Sequence, residues 1–187
     1  VNGTPVEWRP TMSSFGAIGG DKVEWVTENV GQGLLLRSIS TVEYDGMIKC
    51  KMIIESQDPS KPVKLDGLCL EIPLRKKYGQ LYRRGQLFDV SKADVFEFGV
   101  VPSSGLRHIP SLTTWLGNED RGMQWFTENM KGWKIGQGLE AQAIETIPEG
   151  EQVTHRINFI QDKKPLLLNK PREITFGFIM TPARPRS

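Results

Sequence analysis

The sequence predicts an all-β fold, an antiparallel β-sandwich of two packed sheets with about ten strands. Three observations lead there. Short runs of alternating apolar and polar residues recur along the chain, turn residues separate them at near-regular intervals, and no helical pattern persists. At 187 residues the chain is long enough to bury about 70% of its unfolded surface around one core. A single sandwich domain is expected over 1–181, with 182–187 as the start of a stiff, proline-bearing linker.

Taken in order, residues 1–22 mix turn formers with isolated apolar residues and predict an irregular lead-in with one or two short strands. Val23 to Thr27, with Trp25, reads as a strand; Gly31 and Gly33 interrupt, and Leu34 to Val42 is again β-rich. Asp45-Gly46 between alternating runs is a hairpin signal, because Gly takes positive φ without a Cβ clash. The strand after it, Met47 to Glu55, would bury Ile48, Cys50, Met52 and Ile54 and expose Lys49, Lys51 and Glu55. Ser56 to Pro62 is a loop and Val63 to Leu74 a strand. Arg75 to Gln86, basic and broken by Gly79 and Gly85, reads as a long surface loop. Val95 to Val101 is a strand and Pro102 to Pro110 a loop holding His108. Thr114 to Leu116 and Met123 to Phe126 form a hairpin around the turn residues Gly117 to Gly122. Ala141 to Ile147 and Gln152 to Ile160 are paired strands about Pro148 to Glu151. A loop with Pro165 and Pro171 leads to the last strand, Ile174 to Met180, where Ile174, Phe176, Phe178 and Met180 alternate with Thr175, Gly177 and Ile179.

The 24 basic and 22 acidic residues nearly cancel to +2, which gives no electrostatic reason to expect nucleic acid or an anionic membrane as partner. No apolar run is long enough to span a bilayer. The absence of a leader at Val1 and the proline-rich end predict an excised piece of a longer protein. A Cys50–Cys69 disulfide is open on loop length, but the two cysteines fall on different phases of their strands, which argues against it. His155, between Val153 and Ile157 on an alternating strand, reads as a packed or hydrogen-bonded core histidine, and neither it nor His108 has partners spaced for a metal site. No cofactor-binding loop is present: Gly16, Gly19 and Gly20 do not open a helix after a strand.

Chemistry concentrates between Trp115 and Trp133, which hold three of the five tryptophans. Trp115, Trp125 and Trp133 with Asn118, Glu119, Asp120 and Arg121 offer the aromatic faces and bidentate polar groups by which sugars or a neighbouring domain are held. The competing reading makes Trp115 and Trp125 structural residues of the hairpin. Period-two alternation places Trp125 and Phe126 on opposite faces, so one of them points away from the core. Catalysis by Glu119 and Asp120 is not expected, since glycoside hydrolysis needs carboxyls about 5 to 9.5 Å apart across the scissile bond, and these two are consecutive in an exposed turn.

The pattern Trp115, Gly117, Asn118, Arg121, Gly122, Trp125, Phe126, followed by Glu128 and Trp133, resembles a signature of the β-sandwich domain that precedes the catalytic barrel in glycoside hydrolase family 123 and its bacterial relatives. Ile174 to Pro185 is similar to the last sandwich strand and the exit into the barrel in those proteins. The resemblance implies an N-terminal, non-catalytic accessory domain that packs on and supports a downstream catalytic barrel of the same polypeptide, which carries the catalytic Asp-Glu pair. It also implies N-acetyl-hexosamine chemistry for the whole protein and a secreted or periplasmic location. The alternative is a stand-alone carbohydrate-binding module that recognises glycans through exposed tryptophans and polar hairpin residues.

Overall fold

A computed structural model describes residues 1, 3–85 and 97–182. Among these residues there are fourteen strands, two single turns of 3-10 helix and no α-helix, so no helix is long and apolar enough to cross a membrane. The strands are β1 Arg9–Ile18, β2 Lys22–Gly31, β3 Leu34–Glu43, β4 Ile48–Ser56, β5 Val63–Arg75, β6 Leu81–Arg84 and β7 Glu97–Val100. They continue as β8 Leu106–His108, β9 Thr113–Gly117, β10 Gly122–Phe126, β11 Lys134–Ile135, β12 Ile144–Glu149, β13 Gln152–Leu168 and β14 Arg172–Thr181.

Two sheets result. The larger has nine strands in the order β1-β2-β3-β4-β14-β10-β9-β6-β7; the smaller has β11, β13, β12 and β8, with β5 on the other side of β13. Local hairpins build the first half. Gln32 and Gly33, both at positive φ, form the two-residue turn between β2 and β3, whose backbone twist matches that of paired strands. At the β3–β4 hairpin the Asp45 carboxylate accepts a bond from the Met47 amide at 3.1 Å, and Gly46 takes positive φ. The second half is non-local: β14 inserts between β4 and β10, so the large sheet closes only when the end of the described chain returns to its middle.

The sandwich core lies between the sheets. Cys50, Trp125, Ile174 and Phe176 from the large sheet meet Ile144, Ile157 and Phe159 from the small one. Leu34, Ile54, Leu65, Ile160 and Leu168 form a second cluster. The alternation read in β4 and β14 is the pattern that supplies these side chains, since every second residue of a strand faces the same way. The two cysteines are free, with Cys50 buried and Cys69 exposed. Burial pushes the Cys50 thiol up from its ordinary value, and the Cys69 thiol is raised by partial desolvation of its sulfur and by the nearby Glu71 carboxylate.

Several segments depart from the expectation. The lead-in contains the ten-residue β1, which is exposed along most of its length and therefore lacks an amphipathic signal. Within Arg75 to Gln86 the chain makes one 3-10 turn at Lys76–Tyr78 and then β6, which bonds to β7 and β9 on its two sides. The segment around His108 is β8, paired with β12. β13 runs on through Pro165, where its ladder with β5 lapses between Gln161 and Leu166, so the missing N–H removes no sheet bond. Gln86, the start of the strand expected at 95–101, and the linker beyond Pro182 lie outside the described residues.

Candidate ligand-contact face

The β9–β10 hairpin forms where the turn chemistry placed it. Gly117 pairs with Gly122, and the Asn118 amide donates to the Arg121 carbonyl at 2.9 Å to close the tip. The Asn118 side-chain oxygen accepts the amides of Asp120 and Arg121 at 3.0 and 2.9 Å, and its NH2 donates to the Lys77 carbonyl at 2.9 Å. Its capacity is thus spent on shaping the turn and tying it to the 3-10 turn. Arg121 lies over the Tyr78 ring, 5.6 Å from the centroid. Glu119 and Asp120 remain at the exposed tip.

The three tryptophans separate. Trp125 is fully buried, with no exposed surface, which takes it out of reach of an outside partner. Trp133 is half-buried and packs on the same core; its ring centroid lies 6.1 Å from that of Trp125 and 4.9 Å from that of Phe159, edge-on to the latter. Trp115 faces the other way. Its neighbour Thr114 is buried and bonded through Oγ1 to His155 Nε2 of the small sheet at 2.8 Å, so strand alternation turns Trp115 to the outer face of the large sheet.

On that outer face Trp115 lies flat across two glycines. A Cβ at Gly117 or at Gly122 would overlap its indole, and the indole Nε1 donates to Thr181 Oγ1 of β14 at 3.0 Å. Phe126, out of the core as alternation required, covers Gly177 in the same manner. We expect Gly122→Ala to lift the indole off the sheet and cost about 1–3 kcal/mol by overpacking. Urea denaturation checks this; unchanged stability would show that the ring does not rest where the structure has it.

Around the indole is an outer-face concavity of about 770 Å³, lined among others by Leu81, Arg83, Phe98, Val100, Gln124 and Thr181. Register explains the assembly: Phe98 pairs with Arg83, Arg83 with Trp115, and Trp115 with Gln124, so one row of β7, β6, β9 and β10 presents these four side chains together. Phe98 is 81% exposed and Val100 71%. On the opposite face of the same strands, in register with Thr114, the Tyr82 hydroxyl donates to Glu97 at 2.7 Å and Arg84 Nε donates to it at 2.8 Å. The Arg84 guanidinium holds the Glu97 carboxyl below its ordinary range, and the bond to Glu97 raises the Tyr82 phenol.

A family model described as glycoside hydrolase 123, third domain, matches residues 1–131. The chain belongs to this family. No curated protein matches it. The family 123 match corrects the expected position: it is to the third domain, not to an N-terminal one. It spans β1 to β10, including the whole β9–β10 hairpin, whereas β14, which joins β4 to β10 in the large sheet, lies outside the matched residues.

Sequence reasoning singled out Trp115 but missed Phe98, Leu81, Gln124 and Thr181. Alternation within a strand shows which residues share its face; it does not show which strands lie side by side. Among the described residues no group of three or more His, Cys, Asp or Glu side chains is placed to hold a metal ion.

Proposed function

We propose that this family 123 third domain is a non-catalytic accessory sandwich of a glycoside hydrolase, packing on and supporting a catalytic barrel elsewhere in the polypeptide. The disposition of the carboxylates carries the reading. Glu119 and Asp120 are adjacent on an exposed tip, and among the described residues no carboxylate lines the concavity around Trp115. Glu145, the one buried acid among the described residues, is engaged by Arg107 at 3.1 Å, Arg156 at 3.6 Å and Asn158 at 3.1 Å. A second groove is bordered by Glu149 and Glu151, which flank Gly150 in an exposed turn.

The test is direct. The purified chain should release no chromophore from an aryl N-acetylgalactosaminide, and mixing it with the separately produced barrel should raise the melting temperature of the barrel. Turnover by the chain that disappears in Glu119→Gln or Asp120→Asn would overturn the proposal.

A further inference from the structure

We infer that the outer-face concavity binds a glycan chain, with the Trp115 indole as stacking platform and Phe98 as a second aromatic contact. The inference deepens the accessory-domain reading by giving the domain a ligand class and a site, and it rests on the domain accompanying a hydrolase rather than being one. Its physical basis is the floor of the concavity. Glycines 117 and 122 let the indole lie flat on the sheet, and the bond from its Nε1 to Thr181 fixes its in-plane orientation. The open face of the ring is a rigid apolar plane of the kind that receives the C–H face of a pyranose at little cost in side-chain entropy.

Polar groups stand around that plane at the same level. Gln124 sits beside Trp115 in the paired strand, its NH2 bonded to Thr113 Oγ1 at 2.7 Å, which holds the amide in place with its carbonyl oxygen free of that bond. Arg83 lies between Trp115 and Phe98 on the same row and lines the concavity with them. A few placed polar groups in a mostly apolar concavity are what a small-ligand site needs, and about 770 Å³ falls within the usual range for one. Phe98 is two strands away from Trp115, about 10 Å at normal strand spacing, so the two rings together span more than one sugar. Phe15 and Trp25, an exposed aromatic pair opposite each other on β1 and β2, provide an internal control: they lie outside the residues lining this concavity.

The experiment is isothermal titration calorimetry of the 187-residue chain with cellohexaose, xylohexaose, chitohexaose and a mucin-type oligosaccharide bearing N-acetylgalactosamine. At least one should bind saturably. Trp115→Ala should weaken that binding at least about tenfold and Phe98→Ala about threefold or more, whereas Phe15→Ala should leave it unchanged. Phe98, being mostly exposed, can be removed without loss of packing, so the test survives if Trp115→Ala fails to fold. No saturable binding to any of the four overturns the inference, as does binding that persists in Phe98→Ala and in a folded Trp115→Ala. Loss of association with the barrel on changing Phe98, in the absence of glycan binding, would likewise overturn it and make this face a domain interface. These outcomes are separate from turnover of the aryl glycoside, which bears on the accessory-domain reading alone.

Discussion

Trp125→Ala should destabilise the domain by about 3–5 kcal/mol, the cost of emptying a large, fully packed aromatic site. Trp125 has no exposed surface and begins a run of ring contacts that crosses the sandwich. It meets Trp133, Trp133 meets Phe159 edge-on, Phe159 stacks on Phe176 with centroids 5.5 Å apart, and Phe176 meets Phe178. Removing the first ring takes packing from β10, from the Trp133 segment and from β14 at once. Since a domain of this kind is stable by about 5–15 kcal/mol in total, the variant should melt about 10 °C or more below the parent. Trp125→Phe should be milder, about 1–2 kcal/mol, because the indole Nε1 makes no hydrogen bond among the described residues and its loss relieves an unpaired buried donor. Equal losses in the two variants, measured by urea denaturation, would contradict this account of the core.

The second expected effect is a loss of stability in mild acid. His155 and His108 are buried at 2% and 7% exposure, and desolvation depresses them to about 3 and about 4. An unfolded histidine titrates near 6.5. The unfolded chain therefore takes up protons first as pH falls, and stability is full above about pH 6.5 and declines below it toward the folded values. At pH 5 each histidine should cost about 2 kcal/mol, so about 4 kcal/mol together. That pH lies above the range in which the lowered surface carboxylates, Asp162 held down by the Lys164 amide and by Lys134 and Glu173 by Lys51, take up protons. Urea titrations at pH 7 and pH 5 measure the difference, and His108→Gln or His155→Gln should each remove about half of it. A stability that stays flat between the two pH values would mean that the histidines are not desolvated as the structure has them.

Both effects arise from residues whose surroundings were only partly legible. The strand position of His155 was enough to read it as a core histidine, because Val153 and Ile157 flank it at period two. His108 was expected in a loop: three residues of strand beside Ile109-Pro110 leave no alternation to see, and only pairing with β12 buries the ring. Arg83 and Arg84 gave Arg75 to Gln86 the look of a solvated loop. Their strand forms because β9 and β7 supply backbone partners on both sides, and context of that kind overrides propensity.

What the sequence by itself determined was the local part: the all-β class, the Asp45-Gly46 hairpin, the Asn118–Arg121 turn, the opposite orientation of Trp125 and Phe126, and the buried faces of β4 and β14. Each follows from period-two alternation or from turn residues that act within a few positions of chain. What only the tertiary structure decided was which side of the large sheet each tryptophan serves. Trp125 and Trp133 were drawn into the core, and Trp115 was laid over Gly117 and Gly122 beside Phe98. That choice depends on strand order, in which β6, with β7 on its far side, comes to lie beside β9, and β14 beside β10. Strand order is set by burial and pairing between segments far apart in the chain, and no pattern inside any one of them records it.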